Sequence, residues 1–285
     1  MVIFIYLAIV FASATQSATT KLYNRHAKNP AVFNAIKAGV AMLAFAFSFV
    51  FGFEFHLPTL LFAFGYGASL CISMYAGYRA LCCGPMALTS MLVSFSLIIP
   101  LLWGVTVGGE ELSVLQCVAF PFLALSILLT NADKFKKSEG ERTNYGIWLV
   151  FVFLTFASNG VCSILQKQHQ TLYPEAYSRE FMFFAMLLCT AVFSAVTLAK
   201  TPWKEIKESK GKLFGVLSGI ANALANYLTL LLAGMENASV LFPVISAGTI
   251  LAVLLFGRIF FREKLKPNHY FAIVAGIAAV VLIKL

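Results

Sequence analysis

Apolar runs of bilayer-spanning length, separated by short polar connectors, recur along the whole chain and leave few folds open. They lie near 2–20, 31–53, 58–80, 85–107, 112–131, 145–165, 179–199, 212–233, 238–260 and 268–284. Each is long enough to cross the hydrocarbon core as a helix of ~20 residues. Backbone groups in lipid must satisfy one another, and the runs lack the period-2 alternation of a membrane barrel. The expectation is an all-α membrane protein of ten transmembrane helices. Composition agrees, because 60% of the 285 residues are hydrophobic and the mean hydropathy is +0.85. Only 12% are charged, against about 25% in an ordinary soluble domain.

The formal net charge of +9 does not point to a nucleic acid, since the basic residues sit in connectors rather than on an aromatic-studded face. Of the 21 Lys and Arg, 17 fall on one side of the predicted spans. That bias places the central connector in the cytoplasm and both termini outside. The six cysteines have no zinc or haem spacing and read as small packing residues. Phe11-Ala12-Ser13-Ala14 could follow a signal peptide, but no Lys or Arg precedes it, so the segment is kept as the first span.

The longest polar connector divides the spans into five and five. The organisation expected is a first five-helix repeat over 1–131, a basic connector over 132–144 and a second repeat over 145–285. Phe11-Ala12-Ser13 aligns with Phe156-Ala157-Ser158, Ala63 and Gly67 with Gly215 and Gly219, and Tyr75 with Tyr227. Gly104, Glu110 and Leu112 meet Gly257, Glu263 and Leu265 without a gap. An odd number of spans per repeat makes the halves enter the membrane in opposite directions, the inverted-repeat plan of many secondary transporters.

Gly108-Gly109-Glu110-Glu111-Leu112-Ser113 and Phe261-Arg262-Glu263-Lys264-Leu265-Lys266 each follow the fourth span of their half. With two five-span halves, these turns resemble the EamA-like branch of the drug/metabolite transporter superfamily. The resemblance implies a ten-helix basket around a central cavity and solutes such as amino acids, other metabolites or drugs, often exported. Many relatives carry cytoplasmic termini, whereas the charge count here places them outside.

All twelve acids fall in connectors or at span ends. Proton-coupled relatives such as the small multidrug resistance proteins use a membrane-embedded Glu in the first span, where this chain offers Gln16. A carboxylate-centred proton mechanism is therefore disfavoured. Lys37 is the one ionisable residue well inside a span, and reads either as a coupling group or as a snorkelling side chain.

The amides Gln16, Asn159, Asn222 and Asn226 are costly in lipid unless paired or facing water, so they read as interhelical links or as cavity lining. Asn222 and Asn226 share a helical face. Ser90 and Ser94 form a similar stripe, and Ser246 lies on the ninth span; hydroxyls can also bond their own helix. Met74, Tyr75 and Tyr78, with Tyr227, supply candidate aromatic walls or core packing. Pro243 is the candidate gate among the prolines within spans, because a missing N–H frees a carbonyl and lets a helix bend. Ala63/Gly67, Gly215/Gly219 and Ala272/Gly276 read as close helix packing.

The reading that follows is a secondary carrier of a small metabolite or amino-acid-like solute, working by alternating access and in the direction of export. A multidrug or cationic-solute transporter is the alternative. An intramembrane enzyme is disfavoured, since paired carboxylates, HExxH and a Gly-rich phosphate loop are all absent from the sequence. No cofactor or metal is expected; the partners are the solute and the bilayer, with the chain a monomer or homodimer. A prokaryotic cytoplasmic membrane is the expected location.

Overall fold

The computed structural model of the protein describes residues 2–26, 29–83, 89, 92–135, 145–203, 211–261 and 266–284. The α-helices whose bounds lie among the described residues are, in chain order, α1 (Val2–His26), α2 (Pro30–Ser48), α3 (Leu57–Cys83), α4 (Ile98–Thr106), α5 (Val114–Phe135), α6 (Tyr145–Leu172), α7 (Ser178–Lys200), α8 (Lys212–Met235), α9 (Ala238–Phe260) and α10 (Pro267–Lys284). No strand occurs among the described residues. Eight of these helices are long and apolar enough to cross a membrane. Leu92–Thr106 and Val114–Thr130, at the places of the fourth and fifth predicted spans, are shorter apolar helices.

Two boundaries differ from the hydropathy reading for physical reasons. Helix α6 continues to Leu172 rather than ending near 165, because its polar last turns are buried and bonded within the protein. Helix α2 stops at Ser48; the chain tightens into a 3-10 turn over Phe49–Phe51 and swings away at Gly52, whose φ of 117° favours glycine.

The helix starts are written locally. The Asn29 carboxamide oxygen accepts from the N–H groups of Ala31 and Val32 at 3.2 and 3.3 Å, and Pro30 occupies the first helical position. Ser113 and Gln116 form a reciprocal capping box at the start of α5, with bonds of 3.1 and 3.2 Å. Between α4 and α5, Gly109 adopts a φ of 65° and turns Glu110 back across the chain. The Glu110 carboxylate accepts from the N–H groups of Ala238 and Ser239 at 2.6 and 2.9 Å. It thereby caps α9, whose own N-cap residue Asn237 makes no side-chain cap bond.

The chain divides into two compact units that each take helices from both halves of the sequence. One comprises Met1–Cys71 and Leu165–Gly234, the other Ile72–Ile164 and Met235–Leu285. In the first, α2 packs along α7. Gly215 and Gly219 of α8 face Ile36 and Val40 of α2 so closely that a β-carbon would sit 2.9 and 2.7 Å from their side chains. A β-carbon on Gly67 would lie 2.8 Å from the Ala185 carbonyl. In the second unit α5 packs along α10, and α9 meets α4, α5 and α10. There the Ser126 hydroxyl donates to the Ala272 carbonyl at 2.8 Å beside Gly276.

The side-chain distribution is that of a protein in lipid. On α10 the buried face is Ala272, Ala275, Gly276, Ala279 and Ile283, while Phe271, Val274, Ile277 and Val281 are exposed. Burying large apolar groups gains nothing against acyl chains, so helix contact rests on van der Waals packing of small residues and on interhelical hydrogen bonds.

Candidate functional site

Polar groups in the first unit assemble into three connected features. The Tyr66 hydroxyl of α3 donates to the Asn226 carboxamide oxygen at 2.9 Å. The Asn226 amide donates to the Asn222 carbonyl and side-chain oxygens at 2.9 and 3.0 Å, and the Asn222 amide reaches the Met186 sulfur at 3.7 Å. The two asparagines thus form an interhelical polar link, closed by a tyrosine that spacing alone does not reveal.

A second network runs through two histidines. The Gln170 amide approaches His169 Nδ1 at 3.1 Å and donates to Ser178 Oγ at 3.0 Å and the Ala176 carbonyl at 3.5 Å. Two oxygen acceptors fix the amide orientation, so His169 accepts at Nδ1 and carries its proton on Nε2. Nε2 then donates to Thr59 Oγ1 at 3.0 Å, and the Thr59 hydroxyl donates to His56 Nδ1 at 3.0 Å. The Gln170 carboxamide oxygen is the one buried atom of this network left without a hydrogen-bond partner among the described residues.

The His56 ring stacks on Tyr177 with centroids 4.4 Å apart and planes 7° apart. This contact holds Tyr177 at φ 53°, and Glu175 also lies in the left-handed region, at 58°. Two non-glycine residues in that region persist only where neighbours over-determine the backbone. The loop they shape presents Glu175, Arg179 and Glu180 to a cavity of about 310 Å³, lined also by Phe51, Glu54 and Tyr227. A second cavity of about 550 Å³ shares Phe51, Glu175, Arg179 and Tyr227, and adds Ala44, Phe45, Ala223 and Leu224. The first chamber gathers the carboxylates, while the second adds mainly apolar walls, with Ser48 among them.

Glu180 is 4% exposed and sits in the first turn of α7. Its Oε1 accepts from the Glu54 N–H at 3.3 Å, and its Oε2 has no hydrogen-bond partner among the described residues. Arg179 donates from Nη1 to the Ser48 carbonyl at 3.2 Å. Hydropathy places Arg179 and Glu180 at a span end; their approach to Tyr227 is tertiary, and the adjacent Arg-Glu pair opening a span is the only sequence trace of it.

In the second unit, Ser73 Oγ donates to the Asn159 carboxamide oxygen at 2.6 Å, linking α3 to α6. Tyr75 and Tyr78 are 50% and 46% exposed, and Tyr75 meets Phe151 edge-on at 6.5 Å. Pro243 is buried within an unbroken α9, while Met74, Ser94 and Ser246 are half-buried. Gln16, Lys37, Asn222, Asn226 and Tyr227 belong to the first unit, and Met74, Tyr75, Tyr78, Ser94, Asn159, Pro243 and Ser246 to the second. Ser90 and the turn residues Arg262–Leu265, including Glu263, lie outside the described residues. Lys37 is half-buried and makes no hydrogen bond or salt bridge among the described residues.

Eight apolar spans and helices that bury small residues while exposing large apolar ones define a multi-pass integral membrane protein. Residues 146–285 match the family model of the EamA-like transporter family, a family of drug/metabolite transporters. A solved crystal structure of 12% sequence identity superposes with a TM-score of 0.82, covering 98% of this chain and 94% of its own. At that identity the likeness speaks for the fold alone. No curated protein matches the sequence.

Proposed function

We propose that the protein is a secondary carrier that moves a small metabolite or amino-acid-like solute across a prokaryotic cytoplasmic membrane by alternating access, in the direction of export. The family-model match over residues 146–285 is the observation that carries the transport reading. Two inverted five-helix halves, 1–131 and 145–285, would supply the two-fold plan such carriers use.

Coupling through a mid-membrane carboxylate is not part of this proposal. Every acid of the sequence falls in a connector or at a span end, and the buried Glu180 is in the first turn of its helix. The solute would be handled by Asn222, Asn226 and Tyr227, with Gln16, Met74, Tyr75, Tyr78, Ser90, Ser94, Asn159 and Ser246 as further lining, Pro243 as a hinge and Lys37 as a coupling cation. Transport kinetics of Asn226→Leu and Tyr75→Ala at matched expression test the assignment: each is expected to raise KM or lower the maximal rate, and unchanged kinetics in both would overturn it.

A cationic solute is the second reading. It is favoured by the three carboxylates around the Tyr227 cavity.

A further inference from the structure

We infer that the paired cavity around Tyr227 is a recognition chamber for an organic amine cation, with the ammonium on Glu180 and an apolar tail beside Phe45 and Leu224. The inference rests on the carrier reading in its second, cationic-solute form and names the solute class for this part of the site.

Charge decides the class. Among the described residues the acidic chamber is lined by Glu54, Glu175 and Glu180 against one cation, Arg179, an excess of two carboxylates. Glu54 and Glu175 are exposed and solvated, but Glu180 is 4% exposed and its Oε2 lacks a partner among the described residues. A desolvated carboxylate with an open acceptor is stabilised by a cation that donates N–H bonds. The helix dipole at the start of α7 offsets part of its charge, and the Glu54 N–H one further bond, which leaves the second oxygen for a ligand.

An ammonium offers three donors, matching Glu180 Oε2, the Glu175 carboxylate and the Tyr227 hydroxyl, which has no partner among the described residues. The Phe51 ring, common to both cavities, can take the cation's flank. A zwitterion would bring a carboxylate of its own and leave the excess uncompensated. An anion is repelled outright. Beyond the shared residues the second cavity adds Ala44, Phe45, Ala223 and Leu224, with Ser48 the one polar addition, so the amine's substituent meets mainly apolar walls.

The test is equilibrium binding to the full chain in lipid nanodiscs, with phenethylammonium as probe and 2-phenylethanol and phenylacetate as neutral and anionic probes of similar size. The cation is expected to bind, and the other two at least about tenfold more weakly. Glu180→Gln is expected to weaken the cation by about tenfold or more, and Glu175→Gln by a smaller factor. Equal binding of the three probes overturns the inference, as does an unchanged affinity in Glu180→Gln whose melting transition matches wild type. Should Glu180→Gln fail to fold, the exposed Glu175→Gln decides: weakened binding supports the chamber and an unchanged Kd overturns it. Counterflow of phenethylammonium in liposomes separates the two levels. Glu180-dependent binding without counterflow supports the chamber and counts against the carrier reading; counterflow with binding indifferent to both carboxylates does the reverse.

Discussion

The carboxylate of Glu110 occupies the space that a side chain on Gly104 would need: a β-carbon there would lie 2.6 Å from Oε2 and 2.9 Å from Cδ. Gly104 is therefore glycine because Glu110 must pass it to reach the first N–H groups of α9, 128 residues along the chain. Gly104→Ala is expected to displace the carboxylate and uncap α9, lowering stability by about 1–3 kcal/mol. Thermal unfolding in detergent checks it, and an unchanged transition would count against the arrangement.

Glu110→Ala removes both capping bonds at once and leaves the α9 N-terminus without a side-chain acceptor. A loss of about 1–2 kcal/mol is expected. Combined with Gly104→Ala the losses should fall well short of additive, because both changes remove the same contact.

The Tyr66–Asn226 hydrogen bond predicts a measurable coupling. Tyr66→Phe and Asn226→Leu are each expected to destabilise, and a double-mutant cycle should return about 0.6 kcal/mol, the scale found for interhelical bonds in membranes. A coupling of zero would show that the pair is adjacent without being linked.

Gly219→Val drives a branched side chain into Val40 and the Lys37 carbonyl, which a β-carbon would meet at 2.7 and 2.8 Å. Backbone cannot yield as a side-chain tip can. A loss of about 1–3 kcal/mol, or failure to fold, is expected, whereas Leu217→Val on the exposed face of α8 should leave the melting transition in place.

The spans were legible because lipid selects for apolar runs directly, and the small-residue pairs because close helix approach needs them at four-residue spacing. The end of α6 was not, since Gln166 to Gln170 are polar yet enclosed by protein, and hydropathy cannot tell a buried glutamine from a solvated one. Asn222 and Asn226 declared themselves by spacing, while Tyr66, 160 residues from Asn226, did not. The turn at Glu110 was visible as a motif, but its target was not. Glu180 falls among the acids of connectors and span ends, and Arg179 opens the same span; their place beside Tyr227 depends on a loop held by His56 and His169, contacts that no local pattern encodes.

That dependence is itself testable. His169→Phe breaks the chain from Gln170 to His56 and strands their polar atoms. A loss of about 1–3 kcal/mol is expected, together with weaker phenethylammonium binding, because the loop that bears Glu175 and leads into the first turn of α7 at Glu180 loses its support. Destabilisation with wild-type affinity would separate the network from the cavity.

Counterflow in liposomes tests the central claim most directly. Purified protein, preloaded with one member of a metabolite, amino-acid and amine panel, is presented with its labelled form, with and without an imposed pH gradient. The account predicts exchange of at least one solute at a rate indifferent to the gradient. Accumulation that follows the gradient would contradict exchange uncoupled from protons, and absence of exchange across the panel would contradict the carrier itself.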